Sequence, residues 1–142
     1  MKVKSSSLKV TAYLAKTLAS EIKKTKSLVV LGLVGNLGAG KTTFTKSLIK
    51  ALGSSKKVTS PTFIIMRRFV LKNHRYVYHV DTYRVKAQDL TRLGVPKVFK
   101  SPNIVVIEWA NKVKKILPKS TLWINFKHGK KENERYLTFN RR

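Results

Sequence analysis

Ser27-Leu28-Val29-Val30-Leu31-Gly32-Leu33-Val34 runs directly into Gly35-Asn36-Leu37-Gly38-Ala39-Gly40-Lys41-Thr42. The first segment is short, apolar and rich in β-branched residues, the pattern of a strand buried on both faces. The second fits G-x-x-x-x-G-K-[ST] at every fixed position. The next ten residues, Thr43 to Leu52, carry apolar side chains at 44, 48, 49, 51 and 52. That spacing lines one face of a helix, and Gly53 is a natural C-terminal stop. Strand, glycine-rich loop and helix in that order predict an α/β fold of the phosphate-loop type: three layers around a central, mainly parallel sheet. Glycines let the loop turn its backbone N–H groups inward around phosphate oxygens, and the helix start adds the positive end of its dipole. In such a loop Lys41 reaches the β- and γ-phosphates, and the Thr42 hydroxyl can ligate Mg²⁺. A plain glycine-rich turn would leave the Gly-Lys-Thr order unexplained.

Outward from this core, Lys9 to Ile22 has apolar residues at 10, 14, 15, 18, 19 and 22, an amphipathic helix. Tyr76 to Val80 and Ile104 to Ile107 read as buried strands, and Ser60-Pro61-Thr62 as a proline-fixed turn leading into a strand from Phe63 to Met66. Leu122 to Phe126 and Tyr136 to Phe139 read as a C-terminal β-hairpin joined by Lys127 to Arg135, with His128 solvated in the turn and Arg141 and Arg142 frayed. No repeat or linker divides the chain, so residues 1–142 are expected to form a single domain.

The acids are few enough to read one by one: Glu21, Asp81, Asp89, Glu108, Glu132 and Glu134. Asp81 and Glu108 each close an apolar run, at the carboxyl end of a buried strand, where open α/β sheets place their ligands. Beside a phosphate loop, one of the two would hold Mg²⁺, directly or through water, and the other would polarise an attacking water. The residues alone do not say which does which.

Lys and Arg total 31 against those 6 acids, a formal net charge of +25, while 42% of residues are hydrophobic. That hydrophobic share excludes a disordered basic tail. A basic field suits a phosphate-backbone partner such as RNA. Dispersed lysine, 23 against 8 arginines, is also what simple compositional bias produces. The longest charge-free stretch, Ser27 to Gly40, carries four glycines and falls short of the roughly 20 apolar residues that span a membrane. The start, MKVKSSSLK, lacks the apolar core of a signal peptide. There are no cysteines, so disulfides and thiolate metal sites are excluded, and a cytoplasmic location is expected.

Four segments together resemble one family, the bacterial TsaE (YjeE) ATPases. These are Gly35 to Phe44, then Thr59-Ser60-Pro61-Thr62-Phe63, then Tyr78-His79-Val80-Asp81-Thr82-Tyr83-Arg84, and the pair Glu108-Trp109. Their order and spacing agree over roughly residues 8 to 118. The resemblance implies an ATPase required to form threonylcarbamoyladenosine in tRNA, at the adenosine beside the anticodon. It implies ATP and Mg²⁺ as cofactors and a TsaD–TsaB complex as partner, with tRNA met indirectly or within that complex. Carried over, the nucleotide would be held by Thr11 and by Gly35, Asn36, Leu37, Gly38, Ala39, Gly40, Lys41, Thr42 and Thr43. Thr42 and Glu108 would be the metal ligands. Lys41, Asp81 and Glu108 would serve catalysis, and Thr59 to Phe63 would be a nucleotide-sensitive switch. In Val85 to Gly94 the chain keeps Asp89 and Gly94 but replaces most of the family's acids with neutral or basic residues.

Two other classes fit parts of the pattern. A small-molecule kinase would need an acceptor pocket and an arginine-bearing lid; Arg67-Arg68, the one adjacent arginine pair before the terminus, falls on a predicted strand. A basic RNA-binding protein with a structural phosphate loop would use the charge and no hydrolysis. A guanine-reading Asn-Lys-x-Asp is absent, since Asn111-Lys112-Val113 ends in Lys114. His79 reads as a hydrogen-bonded core histidine or a ligand, and Trp109 as a core residue able to orient Glu108. Tyr83 and Arg84 either order the site or face solvent.

Overall fold

Four apolar runs build the middle of the sheet: β2 (Val29–Val34), β4 (Tyr76–Asp81), β5 (Ile104–Glu108) and β6 (Leu122–His128). The computed structural model describes residues 1–36, 38, 40–54 and 65–141. Among these, seven strands form one sheet in the order β1-β7-β6-β2-β5-β4-β3. The inner four are parallel, with β2 between β6 and β5 and with β4 outside β5. Antiparallel strands close both sides: β3 (Met66–Val70) on β4, and the hairpin partner β7 (Arg135–Arg141) on β6, followed by β1 (Lys2–Ser5).

Because side chains alternate along a strand, each inner strand serves two cores. Leu31, Leu33, Ile104 and Val106 point to one face, where α1 (Leu8–Lys23) and α2 (Lys41–Ala51) cover them with Ala15, Ala19, Ile22, Phe44, Leu48 and Ile49. Val30, Val105 and Ile107 point to the other, beneath α3 (Ala87–Arg92) and two short 3₁₀ segments, Val95–Val98 and Ala110–Ile116. This is the expected α/β architecture, with helices on both faces of a central parallel sheet and a C-terminal hairpin.

Local chemistry sets the ends of the helices. The Ser7 hydroxyl accepts the Val10 N–H at 3.3 Å as the N-cap of α1. After α2, the Gly53 N–H donates to Lys50 O and the Ser54 N–H to Ile49 O, the two bonds of a Schellman close.

Several boundaries differ from the sequence reading. Strand β3 occupies Met66–Val70 rather than ending at Met66, and Phe63 and Ile64 lie outside the described residues. It is an edge strand, so Arg67 and Arg68 are tolerated there. The hairpin strands run further than expected: His128 ends β6 and Arg135 begins β7, leaving 129–134 as the turn. Arg141 is not frayed. It ends β7, paired with Leu122, and donates to Ser120 O at 3.2 Å. No helix among the described residues is long and apolar enough to cross a membrane.

Candidate functional site

The carboxyl ends of the parallel strands converge on one cleft. Val34 ends β2 and passes into the phosphate loop, while Asp81 and Glu108 end β4 and β5 opposite one another in register. A cleft of about 250 Å³ opens there, lined by Asn36, Gly38, Gly40, Lys41, Thr42 and Thr43 of the loop and helix start. Asp81, Glu108, Trp109, Leu8 and Arg135 complete its wall.

The loop's path depends on its glycines. At Gly35 a Cβ would stand 2.6 Å from Phe126 O and 3.0 Å from Phe126 Cβ, so only glycine lets β2 leave the sheet against β6. The Phe126 ring meets Phe44 edge-on, centroids 5.5 Å apart, which ties α2 to the same strand end. Gly40, at φ 96°, turns the chain into α2, whose first N–H groups have no partner within the helix.

Lys41 is buried at 5% exposure. Its Nζ donates to Gly35 O and, at 3.3 Å, to Asn36 O. It also lies 4.0 Å from the centroid of the Trp109 ring. Burial pushes the Lys41 ammonium below the usual lysine range, and the charges of Glu108 and Asp81 oppose that shift. The lysine is thus held over the loop by neutral acceptors and an aromatic face, with two carboxylates near.

Glu108 is 4% exposed, and its Oε2 lies 2.5 Å from Nε2 of the fully buried His79. His79 therefore fixes the carboxylate's orientation from the strand next door. It is the hydrogen-bonded histidine that the sequence allowed, with the acid as its partner. Asp81 accepts the Tyr83 N–H on Oδ1 at 3.0 Å. The Thr82 hydroxyl lies 2.8 Å from both Glu108 O and Trp109 O and shares its one proton between them, stitching the two acidic strand ends together. Trp109 has φ 60° and ψ 35°, a conformation uncommon for a bulky residue. Its ring packs against Tyr83 at a 45° tilt, centroids 4.9 Å apart. Lys112 Nζ lies over this ring pair and donates to Tyr83 O at 2.5 Å. Arg84 is exposed.

The cleft thus gathers Lys41, Thr42, Asp81 and Glu108, as well as Gly38, Gly40, Asn36 and Thr43. Leu37 and Ala39 lie outside the described residues, as do Thr59 to Phe63. Thr11 does not line the cleft. It is buried at 1% exposure, with its hydroxyl 2.7 Å from Ser5 Oγ, so it joins α1 to β1. Among the described residues no group of three or more His, Asp or Glu could enclose a metal. The donors present, a hydroxyl and a carboxylate, suit a hard cation that keeps water and phosphate oxygens as its other ligands.

Two lining residues had no part in the sequence reading of the site, Leu8 and Arg135. Leu8 opens α1. Arg135 reaches the loop only because β7 runs antiparallel to β6, so its first residue pairs with His128 at the carboxyl end of the parallel strands. No spacing rule links it to Gly38, 97 residues away.

The profile of the family described as threonylcarbamoyl adenosine biosynthesis protein TsaE matches residues 5–137. A Bacillus subtilis tRNA threonylcarbamoyladenosine biosynthesis protein TsaE is 39% identical over 113 residues, covering 78% of this chain and 68% of that protein. The Haemophilus influenzae protein of the same description is 32% identical over 102 residues, covering 71% of this chain and 64% of that one. The crystal structure of Bacillus subtilis YdiB superposes with a TM-score of 0.74 at 31% identity, covering 98% of this chain and 83% of that one. The chain belongs to the TsaE family of tRNA threonylcarbamoyladenosine biosynthesis proteins.

Proposed function

We propose that the protein binds ATP with Mg²⁺ in this cleft and hydrolyses it, in the service of threonylcarbamoyladenosine formation in tRNA with a TsaD–TsaB-type complex. One observation carries the reading. The lysine of a phosphate loop at a helix start, and two strand-end carboxylates, share a single cleft. Cationic donors and backbone N–H groups suit a phosphate chain, and Thr42 with Glu108 suits the cation.

Each residue then has a defined task. Lys41 exchanges the Gly35 and Asn36 carbonyls for phosphate oxygens. The Thr42 hydroxyl and the Glu108 carboxylate would hold Mg²⁺, with Glu108 kept in place by His79, and the ion would supply charge neutralisation to the phosphates. Asp81, with Oδ1 spent on Tyr83, has Oδ2 to orient the attacking water. Trp109 shields Lys41 from bulk water, which strengthens its attraction to phosphate.

Lys41→Ala is expected to weaken ATP binding by more than about tenfold, with the far-ultraviolet circular dichroism unchanged. Glu108→Ala should slow Mg²⁺-dependent turnover more than it weakens binding. Reconstituted tRNA modification with the TsaD–TsaB complex should require the wild-type protein and fail with Lys41→Ala. Modification that proceeds equally without the protein would remove the assigned role, and unchanged ATP affinity in Lys41→Ala would remove the assigned site.

A further inference from the structure

We propose that this chain binds single-stranded RNA directly, on the open face of the sheet formed by β6, β7 and β1. The face is read from charge and side-chain chemistry and does not use the ATP cleft. The choice of RNA over DNA rests on the proposed role in tRNA modification.

At this end the sheet is covered on one side only. Ile124, Phe126 and Leu137 point into the core beneath α1 and α2, with Leu122 and Phe139 packed against it. Alternation along the strands sends Asn125 and Lys127 of β6, and Tyr136, Thr138 and Asn140 of β7, to the other side. The register makes two rows there, Asn125 beside Thr138 and Lys2, and Lys127 beside Tyr136 and Lys4. Of these three strands only Trp123 takes part in the second core, so among the described residues no helix packs on this face.

The two rows are basic and carry no aliphatic side chain. Lys2, Lys4 and Lys127 are exposed, and between Glu108 and Glu132 the chain has seven lysines and no acid. Lys2 Nζ lies 4.8 Å from the centroid of the Tyr136 ring. Glu134, the acid beside them, has its carboxylate engaged by Lys4 at 3.5 Å and by the Tyr136 hydroxyl at 3.3 Å, so its charge is matched and the ring is held in place. Where the face meets the 3₁₀ segment Ala110–Ile116, a groove of about 320 Å³ is lined by Leu117, Pro118 and Trp123 together with Lys114 and Lys119. An apolar slot bordered by lysines suits a base and its flanking phosphates.

These groups select the occupant. Lysine is depleted at protein–protein interfaces, and rows without aliphatic side chains give a protein partner little to bury. Amides, a hydroxyl and ammonium groups instead match base edges, ribose and phosphate. The Tyr136 ring offers a stacking platform. A base that stacks there takes the place of Lys2, whose ammonium then meets a phosphate. A sheet face with no helix projecting from it meets bases that are already unstacked, which makes the ligand single-stranded rather than duplex.

The test is fluorescence anisotropy of a labelled single-stranded RNA of mixed sequence with the full chain, across a series of salt concentrations, together with side-chain amide magnetic resonance. Wild type should bind, and the amide signals of Asn125 and Asn140 should shift as it does. Lys2→Gln and Lys127→Gln should each lower the slope of log affinity against log salt by about one. Tyr136→Ala should weaken binding roughly five- to a hundredfold, whereas Tyr136→Phe, which keeps the ring, should bind as wild type does. Lys16→Gln and Lys46→Gln make the same charge change on the exposed sides of α1 and α2 and should leave affinity and slope as they were. A wild type that binds no RNA, or amide signals unmoved at saturation, overturns the proposal. Equal losses from the Lys16 and Lys46 variants overturn it too, since dispersed charge would then be the cause. Polyglutamate that competes as well as unlabelled RNA would mark an acidic protein surface as the partner, and duplex RNA bound as tightly as single strands would mark plain phosphate attraction; either result overturns it. Reconstituted tRNA modification that proceeds without the protein, alongside RNA binding as expected, removes the parent reading and leaves this contact. Modification that needs the protein, with no RNA bound, removes this contact alone.

Discussion

Arg75 and Arg135 stand at opposite ends of the same parallel strands, and both sink a guanidinium among main-chain carbonyls. Arg75 precedes β4. Its Nη1 donates to Ile22 O at 3.0 Å, its Nη2 to Ser27 O at 2.9 Å, and its Nε to Pro102 O. It thereby ties the end of α1 to the segments entering β2 and β5, and every one of its nitrogens has an acceptor. Arg135 makes three bonds as well, yet among the described residues its Nε is buried without one. The fully satisfied arginine closes the amino end of the sheet. The incompletely satisfied one borders the cleft at the carboxyl end, beside Asp81 and Glu108. Among the described residues, satisfaction of polar groups, more than burial or charge, separates the two arginines.

The largest effect tests the first half of that contrast. Arg75→Ala leaves three carbonyls without their charged donor, in a region where Arg75 itself is only 5% exposed. Unmet buried acceptors cost about 1–3 kcal/mol each, less where water enters. The expected loss of unfolding free energy is about 3–5 kcal/mol, read by urea titration. Arg135→Ala should cost about 1 kcal/mol or less, since its bonds to Glu132 O and Gly38 O are solvent-exposed and water can replace it. Equal losses in the two variants would break the comparison.

The same contrast marks what was legible in the sequence. β2, β4 and β5 were readable because a strand buried on both faces must be apolar throughout. α1 and α2 were readable because one face of each must be apolar at helical spacing. The cleft residues Lys41, Thr42, Asp81 and Glu108 follow from that, because each begins a helix or ends a strand at the same edge. β1 was not legible: Lys2-Val3-Lys4-Ser5 is an edge strand with one apolar residue, and its pairing with β7 is decided by hairpin geometry. Arg135 was not legible for a similar reason. Its charged neighbours read as a solvated turn, and its role depends on a strand boundary and on a register 97 residues from the loop it meets. Arg75 carried no signal at all, because carbonyl acceptors have no sequence signature.

A smaller effect probes how the hairpin aims Arg135. A Cβ on Gly129 would stand 2.5 Å from Glu134 Cγ and 2.8 Å from Glu134 Cβ. The second atom is fixed to the backbone and cannot swing aside. Gly129→Ala should therefore cost about 1–3 kcal/mol and displace the turn that carries Arg135. Its ATP affinity should fall with that of Arg135→Ala, whereas Arg75→Ala, measured at low temperature where it stays folded, should bind ATP as wild type does. A Gly129→Ala protein with a normal melting temperature would show that the turn has room to yield.

The smallest effect concerns Glu134 itself. Burial is the largest single influence and alone would raise its carboxyl, but the Lys4 charge and the hydrogen bonds from Lys4, the Lys130 backbone and Tyr136 together outweigh it. The net result lies below the usual carboxylate range. A carboxyl depressed in the folded state stabilises it at pH values above the unfolded value, and that stabilisation fades as pH falls through the folded value. Wild type should then melt slightly above Glu134→Gln at neutral pH, and the two should converge once pH drops below the depressed folded value of the carboxyl, where a protonated glutamate and a glutamine offer the turn nearly the same group. Lys4 is 54% exposed, so the difference should also shrink in molar salt. A gap that persisted at both low pH and high salt would mean that Glu134 holds the turn by shape rather than by charge. Arg135 would then be aimed by packing at the Gly129 contact, and its angle to the phosphate loop would not respond to pH.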